Sequence, residues 1–92
     1  MSFKKIKEIF DKIKEEGSNY FNLEKGKKDI ELKIKEFKSR YKEEDIDKDV
    51  FSNYNKALLD LNKKMEKTRS NIANLSQEID KNLQEELQDV IA

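Results

Sequence analysis

Glu43-Glu44-Asp45-Ile46-Asp47-Lys48-Asp49-Val50 lies near the middle of a 92-residue chain and separates two stretches that share one helical pattern. Upstream, Ile6, Ile9, Ile13, Glu16, Tyr20, Leu23, Lys27, Ile30, Ile34, Phe37 and Tyr41 follow one another in alternating steps of three and four, and nine of the eleven are apolar. Downstream, the same rule from Phe51 gives Tyr54, Leu58, Leu61, Met65, Thr68, Ile72, Leu75 and Ile79, with Thr68 the one polar member. A 3,4 alternation is a heptad repeat, which lays an apolar seam along one side of a helix. The absence of proline leaves both stretches free to run as single helices.

The acidic octapeptide therefore reads as a turn. Asp47 or Asp49 is placed to cap the following helix and to set negative charge at its positive end. The expected fold is all-α: an antiparallel two-helix coiled-coil hairpin, with one helix over about 2–43, the turn at about 44–49 and a second helix over about 50–91 of a single domain spanning 1–92. Folding about that turn sets residues whose numbers add to 95 opposite one another, among them Phe37 with Leu58, Ile30 with Met65, Lys27 with Thr68 and Glu16 with Ile79. Past Ile79 the pattern meets Asn82 and Glu86, while Leu83, Leu87 and Val90 offer an apolar stripe one place along. A step of four in place of three is a stutter. It predicts that the seam shifts to Leu83, Leu87 and Val90, facing Ile13, Ile9 and Ile6.

Gly17-Ser18-Asn19 suggests an alternative, because Gly after Lys14-Glu15-Glu16 resembles a helix C-cap and Ser or Asn can start a new helix. A three-helix bundle with a break at Gly17–Asn19 is the rival architecture. The heptad phase crosses the three residues unchanged and favours a continuous helix. Gly26 lies off the seam at a cost of about 1 kcal/mol relative to Ala. Glu24/Lys28, Asp29/Lys33 and Glu31/Lys35 are acid-first pairs four residues apart, which compensate locally.

Charge adds orientation and excludes much chemistry. Residues 1–42 carry 13 basic and 8 acidic groups and residues 43–92 carry 7 and 12, so the halves are +5 and −5 while the chain is neutral. Such complementarity favours the two halves lying alongside each other, although exposed pairs contribute little to stability. Without Cys or His, no thiolate or imidazole is present to bind zinc, haem or an iron–sulfur cluster or to serve as a nucleophile or its base. Asp45-x-Asp47-x-Asp49 opens like a calcium loop, but Val50 stands where that loop needs Gly and Lys56 where it needs Glu. No Gly-rich phosphate loop is present, and no enzyme, metal or cofactor is expected. The N-terminus, Met1-Ser2-Phe3-Lys4-Lys5-Ile6-Lys7-Glu8, brings charges before any apolar run of signal-peptide length develops, and a cytoplasmic setting is the default expectation.

Leu, Ile, Val and Phe make up 24 of 92 residues, enough to fold but only into a thin core. The seam also leaves large apolar side chains outside it: Phe3, Phe10, Phe21, Leu32, Leu59 and Ile91. Phe3 and Phe10 are one heptad apart, and Ile91 lies at the matching end of the second helix. With Leu83 and Leu87 these make the open end of the hairpin the expected interaction surface, and Phe21, Leu32 and Leu59 are secondary candidates. The expectation is association, most simply of two hairpins into a four-helix bundle. In function this is a non-catalytic protein–protein interaction module that partners itself or another helical protein as an adaptor, assembly factor or escort.

Two other partners compete with that reading. Residues 2–16 pattern Phe3, Ile6, Ile9, Phe10 and Ile13 against lysines, as a membrane-surface helix does, so a peripheral membrane protein is the alternative. Lysines at 4, 5, 7, 12, 14, 63, 64 and 67 with Arg69 raise nucleic acid as a partner, but neutral net charge and the interspersed Glu8, Asp11 and Glu66 weigh against it. In length and in its mid-chain turn the chain resembles the small helical-hairpin proteins that travel with bacterial secretion systems as cargo or cargo-binding partners. Tyr20-x-x-x-Glu24 and Tyr41-x-x-x-Asp45 are similar to the family's export spacing. Members with Trp-x-Gly at the turn differ from this chain, which has Glu44-Asp45-Ile46-Asp47 there and no Trp. The resemblance implies an association with secretion and assigns no residue roles.

Overall fold

The structure, a computed structural model, describes residues 2–91, and the side chains of residues 3–42 and 44–89 within them. Two long helices pack against each other, α1 over Ser2–Arg40 and α2 over Lys48–Ile91, with a single 3-10 turn at Glu43–Asp45 between them. Among the described residues there is no strand. The chain is an all-α hairpin. α1 runs unbroken through Gly17-Ser18-Asn19, so the three-helix alternative does not form. Neither glycine adopts a positive φ.

The turn begins sooner than the heptad pattern suggested, and its chemistry shows why. The last α1-type bond is from the Tyr41 amide to the Phe37 carbonyl (3.0 Å), after which the Asp45 amide donates to the Lys42 carbonyl (2.9 Å) in a tighter 3-10 geometry. Asp47 caps α2: its Oδ1 accepts from the Asp49 amide (3.0 Å) and its carbonyl from the Val50 amide (3.0 Å). Lys38 and Arg40 occupy the last turn of α1 and Asp49 the first turn of α2, each sign opposite the local helix dipole. Ile46 is the apolar pin of the turn, buried beside Phe37, Tyr41 and Val50 around a cavity of about 160 Å³. Tyr41, expected in the seam, falls after the helix end and is exposed.

Both helix ends come earlier than expected, α1 stopping at Arg40 and α2 starting at Lys48, and this shifts the register. The chain forms two compact units, one of residues 21–66 containing the turn and one of residues 1–20 and 67–92 containing both termini. In the turn unit, the Phe37 and Tyr54 rings lie 6.0 Å apart and Lys38 Nζ sits 5.8 Å from the Phe51 ring centre. A methyl group at Gly26 would lie 4.0 Å from Leu61 Cδ1. In the terminal unit, the Arg69 guanidinium stands 5.4 Å over the Tyr20 ring. Lys12 and Glu16 share a cleft with Asn71 and Leu75, and Lys5 shares one with Glu78, Lys81 and Asn82.

These contacts centre on residue numbers that add to about 88, not 95. The helix ends agree, since Arg40 and Lys48 add to 88. The hairpin is as expected, but the helices are displaced by one heptad. Within the terminal unit Ile6 is level with Asn82, Ile9 with Ile79, Ile13 with Leu75, Glu16 with Ile72 and Tyr20 with Thr68. Within the turn unit Leu23 is level with Met65, Lys27 with Leu61, Ile30 with Leu58 and Ile34 with Tyr54. The expected pairing of Lys27 with Thr68 and of Glu16 with Ile79 is thus replaced. A slip of seven residues again sets seam against seam, so the position and pinning of the turn select between the two registers.

The second departure is at the end of α2. The expected stutter does not occur. Asn82 is buried at 7% exposure and Glu86 is half-buried, whereas Leu83 and Leu87 are 43% and 60% exposed, so the 3,4 alternation continues straight through. The buried Asn82 amide is satisfied by donating from Nδ2 to the Glu78 carbonyl one turn back (2.6 Å). Val90, the last expected stutter residue, lies outside the described side chains.

Each unit supplies its own deep positions: Ile6, Ile9, Thr68, Ile79 and Asn82 in the terminal unit, and Ile46 and Met65 in the turn unit. Of the acid-first pairs, Glu24–Lys28 closes at 3.6 Å, and Asp60–Lys64 joins it at 3.1 Å. Both are exposed and contribute at most a few tenths of a kcal/mol.

Two measurements check this description. A Cys pair at Ile9 and Ile79 is expected to close an intramolecular disulfide, whereas a pair at Ile9 and Glu86 is not. The seven-residue difference on α2 is about 10 Å of axial rise, beyond the roughly 7 Å that a disulfide spans. Gly26→Ala meets only ordinary van der Waals contact with Leu61, so it is expected to raise unfolding free energy by about 1 kcal/mol in urea titration.

Candidate functional site

The seam of the terminal unit has two flanks of opposite character. On one flank, Lys5 borders a cleft of about 230 Å³ with Glu78, Lys81, Asn82 and Glu85. Farther along, Lys12, Glu15 and Glu16 border one of about 320 Å³ with Asn71, Asn74 and Leu75. Lys5 of α1 there faces Glu78 and Glu85 of α2, and Lys12 with Glu15 and Glu16 faces Asn71 and Asn74, so the flank is polar and solvated. On each helix the residues named on this flank include those just before a seam residue, such as Lys5 before Ile6, Lys12 before Ile13 and Glu78 before Ile79.

Helical geometry then places the other flank. Residues seven apart share a face, and those that follow the second seam member of each heptad border the opposite side. On α1 they are Phe3, Phe10 and Gly17, and on α2 they are Leu83, Ser76 and Arg69. Phe3 is 63% and Phe10 54% exposed, and Leu83 lies between their levels in the register. Leu87 stands at the α2 edge of this strip, where α2 continues beyond the position level with the start of α1. Four of the expected interaction residues, Phe3, Phe10, Leu83 and Leu87, are thus brought onto one flank of one unit. The fifth, Ile91, is in α2, but its side chain lies outside those described.

The secondary candidates do not form a surface. Phe21, Leu32 and Leu59 are each more than half exposed; Phe21 and Leu59 share a heptad position but stand at different levels of the turn unit, and Leu32 lies at another position. Single exposed apolar residues of this kind are ordinary for soluble proteins. No family model, curated protein or solved structure matches the chain.

The strip is flanked by charge of opposite sign. Lys7 and Lys14 edge it on α1, following seam residues Ile6 and Ile13, and Asp80 edges it on α2, following Ile79. All three are exposed, and among the described residues no ion pair engages Lys7 or Asp80. Among the described residues no group of three or more carboxylates converges to hold a metal ion, and no helix is long and apolar enough to cross a membrane.

Asn82 was not visible as a core residue because its polarity argued for the stutter; the only signal for it was the unbroken step of three from Ile79. Its burial keeps the leucines on the flank. Asn82→Leu is expected to replace the polar layer with an apolar one facing Ile6 and to raise unfolding free energy by about 1–2 kcal/mol. The same variant, followed by circular dichroism and light scattering, is expected to leave the oligomeric mass unchanged because position 82 is not on the flank.

Proposed function

We propose that the protein is a non-catalytic protein–protein interaction module: a helical hairpin that associates with a second copy through the Phe3, Phe10, Leu83 and Leu87 flank. The resulting four-helix bundle serves as an adaptor, assembly factor or escort for another helical protein. The observation that carries this reading is the phase of α2, which buries Asn82 and leaves Leu83 and Leu87 outside beside two phenyl rings. Burying each of these side chains contributes about 1.5–3 kcal/mol when it is complete, and the single hairpin forgoes a large part of it.

The same structure weakens the membrane-surface alternative. Of the apolar stripe in residues 2–16, Ile6 and Ile9 are buried and Ile13 is half-buried in the seam, which leaves two phenylalanines for a lipid surface. An interfacial helix needs the whole stripe.

Light scattering is expected to give the wild-type chain about twice its 11.0 kDa mass, and Phe3→Asp with Phe10→Asp to return it to 11.0 kDa with unchanged helicity by circular dichroism. A monomeric wild type, or a doubly substituted chain that keeps the doubled mass, overturns the proposal. In flotation with anionic vesicles the wild type is expected to stay in solution, and recovery in the lipid fraction selects the membrane reading instead.

A further inference from the structure

The geometry points to one arrangement of the two copies: their apolar flanks face each other about a two-fold axis parallel to the helices of the terminal unit. Each α1 then lies against the partner's α2, with closest approach at Gly17. This arrangement rests on the self-association proposed above and adds its orientation and its contact residues.

Charge selects the axis. Lys7 on the α1 edge and Asp80 on the α2 edge occupy nearly the same level, since Asp80 is level with position 8 in the register. A two-fold axis along the helices brings α1 over the partner's α2 at equal height, so Lys7 meets the partner's Asp80 twice, once on each side of the bundle. It also makes every neighbouring helix pair antiparallel. An axis across the helices brings α1 over α1 and α2 over α2 instead. With such an axis at their level Lys7 meets a second Lys7 and Asp80 a second Asp80, and juxtaposition of like charges at an interface is the arrangement that electrostatic complementarity selects against.

Gly17 is the second, independent observation. It stands in the interior of a continuous 39-residue helix with no positive φ, and a methyl group placed on it meets nothing within 4 Å. Nothing inside the chain calls for glycine there, although glycine weakens the helix. It lies on the same line as Phe3 and Phe10, one heptad farther in, and across the seam that flank carries Ser76 and Arg69, with Ala73 at its edge and the Arg69 guanidinium held over the Tyr20 ring. Gly17, with Ala73 and Ser76 near its level, permits another backbone to approach closely, while the large apolar side chains interleave nearer the termini. The turn unit's Gly26 differs, since its methyl position faces Leu61 of the same chain.

The test uses the full chain and sedimentation equilibrium. Gly17→Leu strengthens the helix, so it is expected to hold or raise the thermal midpoint of the hairpin while weakening association at least roughly tenfold. Lys7→Glu alone and Asp80→Lys alone are each expected to weaken association roughly tenfold. The chain carrying both changes is expected to recover it, because the two interfacial pairs are re-formed with reversed sign. Wild-type association in Gly17→Leu, or a double variant no tighter than the singles, overturns this arrangement while leaving self-association standing. A wild type that stays monomeric overturns the self-association on which it rests.

Discussion

The seven-residue apolar repeat is the constraint from which the rest of the structure follows, and what it leaves open matters as much as what it imposes. It requires that two helices lie side by side, because neither can keep Ile6, Ile9, Ile30 or Met65 in water. It is indifferent to a slip of one heptad, since seam meets seam either way. The choice falls to the turn. Asp47 as cap and Ile46 as pin let α2 start at Lys48, and the 3-10 turn at Glu43–Asp45 follows an α1 that ends before Tyr41 and so leaves it out of the seam. Eight residues around the turn thereby set the height at which every other layer meets.

That choice passes directly to the termini. With residue numbers adding to 88, α2 continues for about five residues beyond the position level with the start of α1. Ile6 and Ile9 face Asn82 and Ile79, so the seam already has partners for the first turns of α1, and a stutter that rotated Leu83 and Leu87 inward would cost the straight packing. The leucines stay on the flank because the layer is complete without them. A polar residue at a seam position gives up stability and fixes phase, and here phase is what keeps the apolar strip on the surface.

Much of this was legible in the amino-acid order, and the failures have physical causes. The 3,4 spacing carried the two helices, the continuity of α1 across Gly17–Asn19 and the side chains left over at Phe3 and Phe10, because it reports which face of a helix is apolar. It does not report axial position, which is why the pairings of Lys27 and Glu16 were displaced by seven residues. It misjudged Asn82 because counting apolar residues assigns an amide to the surface, although an amide that returns a hydrogen bond to Glu78 can be buried at little cost. Ile46 went unremarked inside an acidic run, where charge on either side masked the one residue that anchors the turn.

At two places in the terminal unit a different residue would give a more stable hairpin. Asn82 occupies a layer that a leucine would fill, and Gly17 occupies a helix interior that an alanine would strengthen without touching anything. In the turn unit the other glycine packs near Leu61 and the surplus apolar side chains are scattered. Two concessions on the unit that also gathers four large apolar side chains on one flank are hard to explain by folding alone, because folding would favour the opposite choice at both positions. On the self-association proposed above, Gly17 leaves room for a neighbouring backbone, while the seam position that Asn82 occupies keeps Leu83 and Leu87 outside. On that proposal the glycine and the exposed strip serve one paired state, in which the hairpin would complete its core.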